Sequence, residues 1–385
     1  MTTGAPTRAA NATNALALNR KRAPARVGTR QRQRVAAAAV ATPTMLRTKK
    51  DMRKWAAEQH ARGARVILVP TMGGLHAGHL SLIDHAASVC ANEGDAIVVS
   101  VYVNPAQFAP HEDFDTYPRN LDDDVRLIAE TKATEHLAVF APQDMYADEE
   151  EDDDNVQPSA RLAAEREADS AMPSTLKTHV VPCGSLAAGL CAESRPHFFG
   201  GVCTVVLKLF NVTSADVAVF GEKDFQQLCI VRAMARHLDV PVRVESAPLV
   251  RDDDLLALSS RNRGLSEDAR LAASSSLPVS MLSVSAAAEA DRALTLPADA
   301  PPPPPTWEVA SCLEARIAKA CSEAGGEVDY VTAVDRETLQ PIGSVKGCSA
   351  DIELPDGWTR ALPEGARMCA AVVYGGVRLL DNVAL

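Results

Sequence analysis

Two histidines three residues apart, His76 and His79, stand in the stretch Pro70-Thr71-Met72-Gly73-Gly74-Leu75-His76-Ala77-Gly78-His79. Imidazoles at that spacing share one face at the start of a helix. A glycine-bearing turn that runs into a helix start also exposes backbone N–H groups where an anion can sit. Together these features suit charge stabilisation at a transferring phosphate. A His-x-x-His pair alone is more often a matter of surface or helix packing, so its position has to supply the weight. Val66-Ile67-Leu68-Val69 before it reads as a short buried strand, and Leu80, Ile83 and Ala87 after it fall at helical spacing. No Gly-Lys-Ser/Thr follows, so this is not a Walker loop, and the glycines do not form a dinucleotide fingerprint.

The same strand, turn, helix order returns at Val217–Phe220 followed by Gly221-Glu222-Lys223-Asp224-Phe225-Gln226-Gln227. Lys223 at such a turn can meet phosphates as a point charge. Leu258-Ser259-Ser260-Arg261-Asn262-Arg263, after the Asp252–Asp254 cluster, offers two hydroxyls and an arginine suited to gripping outer phosphates. Asn104 and Gln107 leave the apolar strand Ala96–Val103, at the edge where open parallel sheets bind ligands. Asp122, Asp123 and Asp124 open a helix, where aspartate is ordinarily a cap or dipole partner. The alternative is a magnesium ion held by one or two carboxylates together with nucleotide phosphates.

These residues need a scaffold, and the chain supplies one. The order β, α, β around the histidine turn implies a parallel sheet and an α/β fold. Leu46 to Gly63 reads as an amphipathic helix with Met52, Trp55 and Ala56 on one side. Leu137–Pro142 and Val242–Val244 read as further strands, Gly201–Phe210 as a buried helix, and Ser266–Arg270 as a helix start. The end reads as a small α+β unit: a helix over Val309–Glu323, then strands at Val328–Val334, Arg367–Tyr374 and Val377–Leu380. Pro301–Pro305 is a stiff insertion. There is no internal repeat.

At 385 residues the chain has room for two or three domains, and 46% hydrophobic residues can fill a substantial core. No apolar run reads as long enough to cross a bilayer. The net charge of −11 hides an asymmetry: residues 1–50 hold eleven Lys/Arg and no Asp/Glu, leaving 28 basic against 50 acidic side chains in the rest. A body that acidic is a poor general nucleic-acid binder. The nine cysteines form no Cys-x-x-Cys pair, which favours reduced thiols; Cys90, Cys203 and Cys229 fall in apolar segments and read as packing residues. Residues 1–44 have the composition of an organelle transit peptide or of a flexible cytosolic extension, leaving cytoplasm and organelle (plastid or mitochondrion) both open. Seven consecutive acids, Asp148 to Asp154, mark a solvated insertion over about 147–178.

Taken together, the motifs resemble pantothenate synthetases, the pantoate–β-alanine ligases of the adenylate-forming nucleotidyltransferase superfamily. The resemblance rests on the histidine turn, Val103-Asn104-Pro105-Ala106-Gln107-Phe108, Tyr117-Pro118-Arg119 with Asp122–Asp124, Phe220–Gln227 and Leu258–Arg263. Val328-Asp329-Tyr330 and Leu380-Asp381-Asn382 fit the C-terminal part. It implies a Rossmann-like domain over 45–265, a parallel sheet with helices on both faces, and a smaller α+β lid over 266–385, its proline-rich insertion at 297–306. It also implies a homodimer that takes ATP, pantoate and β-alanine, with magnesium, and binds neither nucleic acid nor membrane. Pantoate would first be adenylated, and β-alanine would then displace AMP. By the same resemblance His76, His79, Lys223 and Arg261 are the catalytic set, with His79 in the proton donor's position. ATP would be bound by the run from Met72 through Gly73, Gly74, Leu75, His76, Ala77, Gly78 and His79. Gly221, Glu222, Lys223 and Asp224, Val250, and Leu258, Ser259, Ser260 and Arg261 would complete its site. Gln107 and Gln227, with Asn104, would take pantoate and β-alanine, and Asp123 and Asp124 would hold magnesium. Three places depart from the pattern. Arg195-Pro196-His197-Phe198-Phe199 puts Phe198 where the family has histidine, Asp254-Leu255 replaces Asp-Gly, and the acidic insertion is unusual. Two other readings compete with the ligase: a nucleotidyltransferase releasing a dinucleotide product, and a nucleotide-binding scaffold without catalysis.

Overall fold

The computed structural model describes residues 42–109, 112, 114–131, 133–146, 178–343 and 349–385. The seven-acid run and nearly all of the basic arm lie outside these.

Runs of β-branched and aliphatic residues make the strands of a six-stranded sheet: β1 (Thr44–Leu46), β2 (Val66–Thr71), β3 (Ala96–Val101), β4 (Leu137–Phe140), β5 (Val217–Gly221) and β6 (Arg243–Ala247). Every pairing is parallel, in the order β1-β4-β3-β2-β5-β6. Alternate residues feed two cores. Leu68, Val98, Ala138 and Phe220 face one of them, packed under α1 (Lys49–Ala61), α5 (Phe198–Thr213) and α6 (Phe225–His237). Ile67, Val69, Val99, Val139 and Val219 face the other, under α2 (Ala77–Val89) and α3 (Leu121–Thr131). A parallel sheet buried on both sides explains why its strands read as unbroken apolar runs rather than alternating ones. The short edge strand β1 escapes that pattern, because three residues carry too little of it.

Strand order reverses between β2 and β5, so the loops leaving those two neighbours diverge and open a crevice at their carboxyl ends. Both motif-bearing turns lie there.

Between β4 and α5 comes the short α4 (Cys191–Ser194). Beyond β6, α7 (Glu267–Arg292) and α8 (Thr306–Glu323) pack on the antiparallel sheet β7 (Glu327–Val334), β8 (Arg367–Tyr374) and β9 (Val377–Ala384). Helix α7 corrects one expectation: its 26 residues include an apolar window long enough to span a bilayer. Its buried stripe, Ala273, Leu277, Met281, Val284 and Ala288, is spent on the C-terminal core instead.

Candidate active site

The histidine turn needs its two glycines. Gly73 and Gly74 take φ of +83° and +63°, a region costly for any residue with a Cβ. The peptide N–H groups this exposes are tied down by one buried carboxylate: Gly74 N donates to Asp124 Oδ2 at 3.0 Å and Leu75 N to Oδ1 at 2.8 Å. His76 then caps α2, its Nδ1 accepting from Gly78 N at 3.1 Å, while His79 Nδ1 accepts from His76 N at 3.4 Å. Since both Nδ1 atoms accept, each neutral ring carries its proton on Nε2. The rings lie 4.1 Å apart between centroids.

Burial, and then the charge of Lys223, push His76 down to about 4. Burial, His76 and Lys223 push His79 down to about 3. Both rings are therefore neutral hydrogen-bond donors at neutral pH. Across the range in which ordinary histidines change charge, about pH 5 to 8, His76 and His79 are expected to stay silent in an NMR titration of the ligand-free protein. Disappearance of two non-titrating rings in the double His76→Ala/His79→Ala variant makes the assignment; rings that titrate near the usual value overturn it.

The lysine turn follows β5 on the adjacent strand. Lys223 Nζ sits 3.2 Å from Asp224 Oδ1 and its side chain is a quarter exposed. Its backbone is fixed from the C-terminal sheet, where Asn382 Nδ2 donates to the carbonyls of Glu222 at 2.9 Å and Lys223 at 3.0 Å. Arg367 pairs with Glu222 at 2.9 Å. The Ser-Ser-Arg loop is anchored in the same direction: Arg251 grips buried Asp381 through two 2.7 Å bonds, and Arg270 holds Asp252 and Asp254. Leu255 in that loop takes φ +71°, the left-handed conformation that a glycine adopts without strain.

All of these turns enclose one cavity of about 800 Å³. Of the residues expected to bind, Met72, His76, Gly78, His79, Gln107, Gly221, Lys223, Asp224, Gln227, Val250, Leu258, Ser259, Ser260 and Arg261 line it. Gly73, Gly74, Leu75, Ala77, Glu222 and Asn104 do not: Leu75 is core, Glu222 faces Arg367, and Asn104 stands behind Gln107, its Nδ2 donating to Gln107 Oε1 at 2.9 Å. Asp123 and Asp124 also lie off the cavity wall. Both oxygens of Asp124 are taken by the histidine turn, and Asp123 is exposed against Asn120 and Arg126. In this structure both aspartates therefore meet protein groups, Asp124 as the anchor of the histidine turn and Asp123 at its own helix start. Among the described residues no group of three His, Cys, Asp or Glu could hold a metal.

Several wall residues were given no binding role by the sequence reading. Arg195 pairs with Glu112, donates to the Gln107 carbonyl at 2.9 Å and lies 3.9 Å above the Phe198 ring. Phe198 thus replaces the expected histidine with an apolar face pinned by a guanidinium, and His197 is exposed. Tyr330, Arg378 and Asp381 arrive from the C-terminal sheet. Only the chain's return over the crevice brings them in, and no local pattern marks that.

Imidazole donors, a lysine and a hydroxyl–arginine loop around the switch point of a parallel sheet define an α/β enzyme that handles nucleotide phosphates. Comparison with known proteins narrows this. The family model for pantoate-beta-alanine ligase matches residues 44–384. The pantoate–beta-alanine ligase of Oryza sativa subsp. japonica is 36% identical over 358 residues, 90% of this chain and 98% of its own. A crystal structure of the Thermus thermophilus enzyme, titled pantothenate synthetase, superposes with a TM-score of 0.61 at 31% identity, covering 88% of this chain and 98% of that one. A pantoate-beta-alanine ligase from Francisella tularensis, solved with beta-gamma ATP and beta-alanine, shares the fold at 23% identity and a TM-score of 0.55, covering 89% and 97%. The chain belongs to the pantoate–β-alanine ligase family, enzymes that use ATP to join pantoate to β-alanine through a pantoyl adenylate, releasing AMP and pyrophosphate.

Proposed function

We propose that the condensation takes place in this cavity with the following division of roles. In the first step a pantoate carboxylate oxygen attacks the α-phosphorus of ATP and the bond to pyrophosphate breaks. In the second the amine of β-alanine attacks the acyl carbon and the bond to AMP breaks. Neither step needs a protein nucleophile; both need charge stabilisation and alignment. The Nε2–H groups of His76 and His79 serve the α-phosphate. Lys223, Ser259, Ser260 and Arg261 serve the outer phosphates, and Met72, Gly221 and Val250 serve the adenosine. Gln107 and Gln227 bind pantoate, with Gln107 also close to β-alanine. Asp123 and Asp124 are the carboxylates that would hold a magnesium ion together with the nucleotide phosphates.

The observation that carries this reading is the adjacency of β2 and β5, which puts the histidine turn and Lys223 on neighbouring strand ends above one cavity. In domain terms, residues 45–265 bind ATP and pantoate and residues 266–385 act as the lid. The homodimer is carried over from the family resemblance, with solution mass as its check. Residues 1–43, ahead of the matched region, are basic and free of acids. Their effect on whether the chain resides in cytoplasm or an organelle is read by locating chains with and without them.

The reading is tested by an AMP-release assay on protein starting near Thr44, omitting ATP, pantoate and β-alanine in turn. AMP that depends on all three supports it. A folded, ATP-binding chain that releases none rejects it in favour of a scaffold.

A further inference from the structure

A primary amide in a binding pocket offers either an N–H₂ donor or a carbonyl acceptor, and which one faces the ligand depends on what stands behind it. Behind Gln107 stands Asn104, only 1% exposed. The sense of the Asn104 amide is not free. Its Oδ1 faces the N–H of Ala106, 3.4 Å away, a group that can only donate. Its Nδ2 faces the carbonyl of Gly201, 3.2 Å away, a group that can only accept. The hydroxyl of Tyr146 completes the arrangement by donating to Asn104 Oδ1 at 2.8 Å. Burial keeps that phenol protonated well past its usual range.

With Asn104 so held, its remaining N–H meets Gln107 Oε1 at 2.9 Å, and that end of the Gln107 amide is occupied. The other end is not: among the described residues nothing accepts from Gln107 Nε2, although Gln107 is 92% buried and lines the cavity. The backbone is fixed as well, since Arg195 donates to the Gln107 carbonyl at 2.9 Å.

We infer that Tyr146 and Asn104 are positioning residues that lock the sense of the Gln107 amide, so that Gln107 meets the bound acid as a hydrogen-bond donor. The lock selects for an oxygen acceptor on the substrate, a hydroxyl or carboxylate oxygen, and against an N–H at the same place. It rests on the reading of this cavity as the pantoate site.

The test is steady-state kinetics of AMP release for the wild-type chain, Tyr146→Phe, Gln107→Ala, and the two combined, with melting temperatures measured alongside. Tyr146→Phe leaves a buried acceptor short of a partner, and it is expected to raise the KM for pantoate about tenfold while moving kcat and the KM for ATP far less. In the Gln107→Ala background the same change is expected to cost nothing further, because its effect runs through Gln107. Asn104→Asp has the same shape but turns an acceptor toward Gln107 Oε1, and is expected to raise the pantoate KM more than Tyr146→Phe does. Equal losses from Tyr146→Phe with and without Gln107, or an unchanged pantoate KM in a normally melting variant, overturn the lock. Wild-type protein that releases no AMP rejects the site reading instead, so the two failures are told apart within one series.

Discussion

Replacing Lys223 or His79 by alanine is expected to lower kcat by about a hundredfold or more, the usual cost of removing one preorganised electrostatic donor. Lys223 can be removed without disturbing the core. Its side chain is a quarter exposed to the cavity, and its backbone is held independently by Asn382. The loss should therefore fall on turnover and leave the melting temperature nearly unchanged. His79 is more deeply set and also accepts the N–H of His76, so His79→Ala is best read beside His79→Gln, which keeps a donor in the space. If neutral Nε2–H donation is the role, glutamine recovers part of the turnover that alanine loses. If proton transfer is the role, it recovers none. Near-normal turnover in folded Lys223→Ala protein overturns its phosphate role.

The site was legible in the sequence where chemistry and local structure coincide. The histidine and lysine turns each follow a β-branched strand and precede a helix at 3.6 spacing, so their location at strand ends can be read without tertiary information. The same holds for Gln107, which leaves a strand, whereas the Ser-Ser-Arg loop lies well past β6 and is marked by its residue types alone. What stayed hidden depends on chain segments that meet only in the fold. Asp124 looks like a first-turn aspartate of α3, which is why cap and metal were the two readings weighed. Its partners are N–H groups fifty residues earlier, and only the packing of α3 beside α2 brings them within 3.0 Å. Asn104 looks like a pocket residue because its neighbour Gln107 is one, but a short 3-10 turn over Pro105–Gln107 rotates it inward. Leu255 shows the limit in another way: the sequence marks the departure from Asp-Gly, whereas only the backbone shows that the glycine-like conformation is kept. The architecture was easier to read than the contacts, because burial of a parallel sheet on both faces writes itself into runs of valine and isoleucine. Hydrogen bonds between a tyrosine and an asparagine 42 residues apart leave no such trace.

Gly201→Ala is expected to destabilise the protein by about 3 kcal/mol and to weaken pantoate binding with it, although alanine is the better helix former. Gly201 lies in the first turn of α5, where that helix crosses the Pro105–Gln107 turn. A Cβ there would sit 2.1 Å from the Ala106 carbonyl oxygen, 2.6 Å from its carbon and 3.0 Å from the Gln107 nitrogen. All three are backbone atoms, so no side chain can swing aside to make room. The helix must instead move away from the turn. That motion takes the Gly201 carbonyl out of reach of Asn104 Nδ2, releases the Asn104 amide and leaves Gln107 unsupported. It also opens the apolar core packed around Val202, Cys203 and Val206. Denaturant unfolding reads the first effect as a lower midpoint, and calorimetric titration of pantoate reads the second. A variant as stable as the wild type, with pantoate affinity intact, shows that α5 and the Gln107 turn can separate without consequence, and removes the close approach at Gly201 from the reasons this pocket has its shape.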